Sequence, residues 1–250
     1  VSAAVMEPTA RLLPAPDRLR NAGAVMVSLL VLVGGLWLAA QQTARPVAHL
    51  SVSGGGDRVT AAEVRVALAE ALQGPISQLD LVQLQQAVVA LPWVARARVE
   101  RVWPDGVHVR IWERVPMARW GTEALVDTTA ATFTPRPSDV PPGLPQLDGP
   151  EGAVAEVMQR YLGLAEAVAD AGLELTGLSL DVRGEWIGRI APGVPVRFGR
   201  EDPLSRVPVL NGPVARVTTG RLSEVERIDL RYTNGFAVRW RTSAADEGAQ

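Results

Sequence analysis

Nineteen residues from Ala22 to Ala40 carry no charge, whereas elsewhere apolar and polar positions interleave at helical or strand spacing. At a helical rise of about 1.5 Å per residue the run spans about 28 Å, close to the ~30 Å hydrocarbon core of a bilayer. Trp37 lies near its far end, where interfacial aromatics collect. The pattern predicts one membrane crossing. A cleaved signal peptide would need a shorter apolar core and a small-x-small site, which Leu38-Ala39-Ala40 matches loosely. A buried core helix would be unusual beside so polar a remainder. Arg11, Arg18 and Arg20 precede the run and Arg45 follows it, so the positive-inside rule keeps residues 1–21 in the cytoplasm and exports everything after Gln41.

Before the run, Pro8, Pro14 and Pro16 predict a disordered tail. After a linker at 41–48, Leu50 to Ser53 alternates as a short strand. Thr60 with Glu63 three residues on is a capping box, opening a helix through Leu72 that Gly74-Pro75 stops. Asp80 caps a second helix, with Leu81, Leu84, Val88 and Leu91 at helical spacing before Pro92. From Trp93 the period becomes two. Ala95, Ala97 and Val99 alternate with Arg96, Arg98 and Glu100, Pro104-Asp105-Gly106 turns the chain, and Val107, Val109 and Ile111 alternate with His108 and Arg110.

Pro116 within the extended run Glu113 to Trp120 predicts an edge strand or a bend, with a domain boundary near Val115. Leu125 to Phe133 reads as a hairpin and Thr134 to Pro150 as a proline-rich surface loop. Glu151 to Ala171 is an amphipathic helix facing the core with Val154, Val157, Met158, Tyr161, Leu162, Ala165 and Val168. Strands follow at Glu174 to Val182, Trp186 to Ala191 and Val194 to Phe198. Pro208, Gly212 and Pro213 predict a short or broken helix between Pro203 and Thr219. The last strands, Val225 to Tyr232 and Phe236 to Trp240, are joined by Thr233-Asn234-Gly235, whose Asn-Gly step predicts a tight hairpin. A polar tail occupies 243–250.

Composition narrows the chemistry. The near-neutral formal charge of −2 gives no support for nucleic-acid binding, which would want a clustered basic face. There is no cysteine and no lysine, which excludes disulfides, thiol nucleophiles and lysine-dependent chemistry. His49 and His108 stand far apart, so a histidine metal site or triad is not expected, and His108 falls on the polar face of its strand. Gly54-Gly55-Gly56-Asp57 lacks the spacing and the Lys-Ser/Thr of a phosphate loop and reads as a turn. The carboxylates Asp127, Asp148, Asp181 and Asp229 fit turns and strand ends. No enzyme, cofactor, metal or small-molecule substrate is expected, and a protein-binding scaffold is the simplest reading.

The order strand, helix, helix, strand, turn, strand in about 65 residues resembles a POTRA domain. Leu91-Pro92-Trp93-Val94, Trp103-Pro104-Asp105, Glu113-Arg114-Val115-Pro116-Met117-Ala118-Arg119-Trp120, and Leu125-Val126-Asp127 followed by Phe133 resemble, in that order, the landmarks of the bacterial FtsQ cell-division family, and the likeness continues to Trp240. The resemblance implies an α+β fold: a single transmembrane helix at 22–40, a βααββ POTRA domain at 49–115, and a mixed β-sheet domain with flanking helices at 116–242. It also implies a single-pass inner-membrane protein at the division septum, with its C-terminal domains in the periplasm.

The implied partners are FtsB- and FtsL-like single-pass division proteins, and an FtsK-like protein at a POTRA surface that includes Arg96, Arg98 and Glu100. An FtsB-type segment would add to the free edge of the last strand by β-augmentation. The matching positions run from Asp229 and Leu230 through Arg231, Tyr232, Thr233, Asn234, Gly235, Phe236, Ala237, Val238 and Trp240. Arg231 suits pairing with a partner carboxylate, and Tyr232 and Trp240 have the composition of interface hot spots. The alternative keeps Trp240 in the core and Arg231 solvated. Arg183 corresponds to an Arg-rich turn of the family, although Gly184 stands where a second arginine is expected. A rival from another class is a periplasmic POTRA chaperone for outer-membrane or secreted polypeptides. Such proteins usually carry several POTRA repeats or a downstream barrel, and neither is evident after Trp120.

Overall fold

The computed structural model describes residues 18–43 and 46–241. The expectations for the N-terminal tail up to residue 17, for Arg45 and for the tail at 243–250 lie outside the described residues. Helix α1 covers Arg18–Thr43 and contains the whole uncharged run. Its side chains are described from Gly23 to Leu38, with Val25, Leu30, Val31 and Leu36 each more than 60% exposed. Among the described residues no helix is long and apolar enough to cross a membrane.

A small sheet follows, built from β1 (His49–Ser53), β2 (Val94–Val102) and β3 (Gly106–Glu113) in the order β1-β3-β2. Helices α2 (Ala61–Leu68) and α3 (Leu81–Val89) connect β1 to β2. The expected capping box is present: Glu63 N donates to Thr60 Oγ1 at 3.2 Å, and Thr60 N donates back to Glu63 Oε2 at 3.0 Å. Asp80 accepts from Val82 N at 2.8 Å to cap α3. Instead of running on to Leu72, α2 turns after Leu68, one residue of the fully buried set Val64, Leu68, Leu84 and Val88. Replacing Thr60 with Ala removes one reciprocal bond and should cost about 1 kcal/mol, read as a lowered urea midpoint with unchanged slope.

The second sheet has nine strands in the order β12-β11-β10-β9-β8-β7-β4-β5-β6. They are β4 (Pro116–Trp120), β5 (Ala124–Asp127), β6 (Thr132–Phe133), β7 (Gln146–Asp148), β8 (Leu175–Leu180), β9 (Trp186–Ile190), β10 (Val194–Gly199), β11 (Val225–Asp229) and β12 (Ala237–Trp240). Parallel pairs (β4/β7, β7/β8, β10/β11) mix with antiparallel ones. Four expectations are corrected here. The stretch 134–150 is more than a surface loop, because it inserts β7 into the sheet interior with Leu147 fully buried. The three residues of β7 are too few to show a period. Gly177 lets β8 approach, since a Cβ there would stand 2.6 Å from the Gln146 carbonyl oxygen.

Strand β4 is interior rather than an edge; Pro116 is its first residue, beside a register shift, where its missing N–H leaves the ladder intact. On helix α4 (Val154–Ala169) Leu162 is 45% exposed and Leu164 is buried in its place. At 100° per residue, Val157, Leu164 and Val168 fall within one narrow stripe from which Leu162 is rotated more than 100°. The final strands are not joined by a two-residue turn. Asp229 pairs with Ala237, leaving a loop over 230–236. Leu230 explains this: it is buried, and its N–H donates to Arg197 O at 2.8 Å, so the chain continues along β10 after leaving β12. The segment 203–218 is helical but broken, with a π turn over Leu210–Val214 that accommodates Pro213.

The two sheets meet through side chains. Trp93 meets Phe133 edge-on at 5.1 Å, and Leu125 and Phe133 join the buried cluster of the first unit. Arg114 Nη1 lies 2.7 Å from Asp127 Oδ2 with side chains 18% and 4% exposed. Arg136 donates to Glu63 at 2.6 Å.

Candidate functional site

Strand β12 lies at one end of the nine-stranded sheet, with β11 on one side and no strand on the other among the described residues. Its side chains alternate: Phe236, Val238 and Trp240 are half-buried against the core, while Ala237 and Arg239 are exposed. Arg241 N donates to Glu224 O at 2.8 Å across the β11 side. Backbone polar groups alternate direction along a strand, so Ala237 and Arg239 share that inward direction, and the N–H and C=O of Val238 and Trp240 face outward. The edge therefore offers a row of backbone donors and acceptors above a partly apolar face.

Beside this edge the loop over 230–236 rims an open polar cleft of about 460 Å³ lined by five arginines, Arg183, Arg197, Arg200, Arg206 and Arg231, and by two glutamates, Glu185 and Glu201. Positive side chains exceed negative ones, so the cleft suits an acidic group. Arg231 is not simply solvated. Its Nε donates to Asp229 Oδ1 at 2.9 Å and its Nη2 to Asp229 Oδ2 at 2.7 Å, with Glu185 Oε1 at 3.7 Å from Nη1. The Arg231 guanidinium is the main reason the Asp229 carboxyl is held below its usual range, outweighing burial, which acts the other way. Glu185 in turn accepts from Arg197 Nε and Nη2, each at 2.9 Å. An Arg197–Glu185–Arg231–Asp229 ladder thus holds the Arg231 guanidinium while leaving the side chain 43% exposed.

Arg183 belongs to the β8–β9 turn and lines the same cleft as Arg231. The turn is held by Asp181 Oδ1, which accepts from Arg183 N at 2.9 Å and Glu185 N at 2.7 Å. Gly184 has φ +80°, a left-handed conformation that disfavours the second arginine expected there. Tyr232 is 56% exposed at the loop tip, and Thr233, Asn234 and Gly235 are exposed beside it. Trp240 packs on the core, as the alternative reading expected, and carries Arg221 over its ring at 4.5 Å.

Arg197, Glu185 and Arg206 escaped sequence reasoning. Arg206 Nη1 donates to the Tyr232 carbonyl at 3.4 Å and so ties the broken helical segment to the loop. Its partner lies 26 residues away, a spacing that no local motif announces. In the first unit, Arg96 stacks over Trp112 at 4.3 Å and Arg98 pairs with Glu100. His108 lies between two hydroxyls, Ser51 Oγ at 2.8 Å and Ser53 Oγ at 3.0 Å. Among the described residues no group of three His, Asp or Glu side chains could hold a metal ion.

The comparisons with known proteins follow this division. Residues 45–114 match the FtsQ-type POTRA domain, and residues 118–231 match the C-terminal domain of the cell division protein FtsQ/DivIB. The cell division protein FtsQ of Allochromatium vinosum is 35% identical over 228 residues, covering 89% of this chain and 90% of the relative. Its counterpart in Xanthomonas campestris pv. campestris is 34% identical over 212 residues, covering 85% and 75%. That of Burkholderia pseudomallei is 33% identical over 230 residues, covering 89% and 92%. With two ordered domain matches and relatives aligned over most of both chains, the chain belongs to the FtsQ family of cell division proteins.

Proposed function

We propose that the chain is a non-catalytic, single-pass inner-membrane scaffold of the division septum that receives an FtsB-like segment as an added strand on β12. An FtsL-like protein accompanies it. The observation that carries this reading is the unpaired outer side of β12 at the end of the nine-stranded sheet, next to a cleft rich in arginine. An extended segment would gain backbone hydrogen bonds from the edge, contact area from Tyr232 and Trp240, and a charge partner in the cleft. Family membership supports division over a polypeptide-handling role.

Membrane anchoring through α1 is part of the proposal. Its support is the uncharged run Ala22 to Ala40 within α1, whose described apolar side chains are exposed rather than packed. The test of the binding site is co-purification of the full chain with a peptide from the exported part of an FtsB-like protein. Tyr232→Ala and Arg231→Glu should each weaken capture about tenfold or more, as loss of a central anchor or reversal of a charge does. Unchanged capture by both variants would remove the terminal edge from the interface.

A further inference from the structure

Val102 and Trp103 are 50% and 55% exposed, and Pro104 after them is exposed as well. Three consecutive apolar residues at the β2–β3 tip thus project from the first sheet without a core to cover them. Their place in the fold matters. Strand β1 runs parallel to β3 with His49 opposite Gly106, so the chain enters the first unit at the end of the sheet that bears this tip. Asp105 O accepts from both Ala48 N and His49 N, at 2.9 and 3.3 Å, and His49 Nδ1 lies 3.4 Å from Asp105 Oδ1. The tip is fastened to the incoming chain five residues after α1 ends at Thr43. Five residues reach at most about 18 Å when fully extended.

Two charges flank the tip: Asp105 lies against His49, and Arg101 is turned away. Arg101 donates from Nε to Ile76 O at 2.9 Å and from Nη2 to Leu79 O, so its guanidinium lies against the helical connection. What remains at the end is an aliphatic residue, an indole and a proline, the side-chain set favoured where hydrocarbon meets headgroups.

We propose that the Val102-Trp103-Pro104 tip inserts into the headgroup and acyl boundary of the bilayer that α1 anchors, making the first unit a second, shallow membrane contact. The inference rests on the anchor reading of α1. A single helical tether leaves the exported part free to tilt; a second contact about 5–10 Å deep fixes which end of the first sheet faces the lipid.

The chain has no cysteine, so one introduced thiol carries one label. The full chain is reconstituted in phosphatidylcholine nanodiscs as three variants bearing an environment-sensitive fluorophore: Val31→Cys in α1, Val102→Cys at the tip, and Val182→Cys, a 90% exposed position in the β8–β9 turn. A nitroxide near the glycerol end of an acyl chain should quench the Val102 label by more than half and its emission should lie to the blue of the Val182 label, which should not respond. A nitroxide at the far end of the chain should quench the Val31 label. Quenching at Val31 with Val102 behaving like Val182 overturns the tip contact and leaves the anchor standing. A blue-shifted Val102 label that no lipid nitroxide quenches also overturns it, in favour of a protein cover. No quenching at Val31 overturns the anchor reading itself.

Discussion

Val238→Pro is expected to weaken strand addition strongly while leaving the domain folded. The Val238 N–H faces away from β11, so a proline there removes no bond of the existing ladder, consistent with the tolerance of edge strands for proline on their solvent side. An added strand would lose that donor and meet the ring, leaving its own carbonyl unpaired, at about 1–3 kcal/mol. Affinity for the FtsB-like peptide should fall about ten- to a hundredfold, measured by calorimetry, with an unchanged thermal midpoint. Arg239→Pro is the contrasting variant. Its N–H points toward β11, opposite Arg227, so it should destabilise the hairpin itself. If Val238→Pro binds like the parent chain, partners do not extend this sheet.

Asp127→Ala should give the largest stability loss. The Asp127 side chain is 4% exposed and accepts from Thr129 N at 2.8 Å, Ala131 N at 3.1 Å and Arg114 Nη1 at 2.7 Å. Removing it strands Arg114, itself 18% exposed, and undoes the turn between β5 and β6. Breaking one side of a buried pair costs about 3–5 kcal/mol, readable as a drop in the urea midpoint. Acid should reproduce part of this. Burial pushes the Asp127 carboxyl upward, but its hydrogen bonds from Thr129, Ala131 and Arg114 outweigh burial and hold it below the ordinary aspartate value of 3.8. A depressed carboxyl contributes stability above its unfolded pKa and loses it as pH falls through the folded one. The parent chain should therefore weaken as pH drops below 3.8, and Asp127→Ala should show a smaller acid dependence over that window.

What the sequence made legible was what repeats locally. The capping pair Thr60 and Glu63, the Asp80 cap, the alternation from Ala97 along β2 and through β3 and the two prolines that break 203–218 each act within a few residues and are found in the fold, whereas Ala95 is exposed at a register shift between Val94 and Arg96. The losses came where distant strands decide. Leu147 is buried because β4 and β8 close on both sides of β7, and nothing in Gln146-Leu147-Asp148 itself demands a strand. The Asn234-Gly235 step has the chemistry of a tight turn, yet Leu230 is kept on β10 and the hairpin opens. At the candidate site, Arg231, Tyr232 and Arg183 were singled out through the family resemblance, and the structure brings Arg183 and Arg231 to one cleft. The ladder through Arg197 and Glu185 joins β9, β10 and the residues around them, which only the folded register sets side by side.

The two ends of the nine-stranded sheet are unequal. Strand β6 is two residues long, and its Phe133 is enclosed by Trp93 at 5.1 Å and by the Arg114 guanidinium at 5.2 Å from the ring centre. So short an end cannot template another strand, and under the proposed function β12 is the end that receives one. A guest strand would become the new terminus of the sheet, and the host has no second edge there through which copies could chain head to tail. Copies of the chain therefore cannot link through opposite ends of this sheet, since one end is only two residues long.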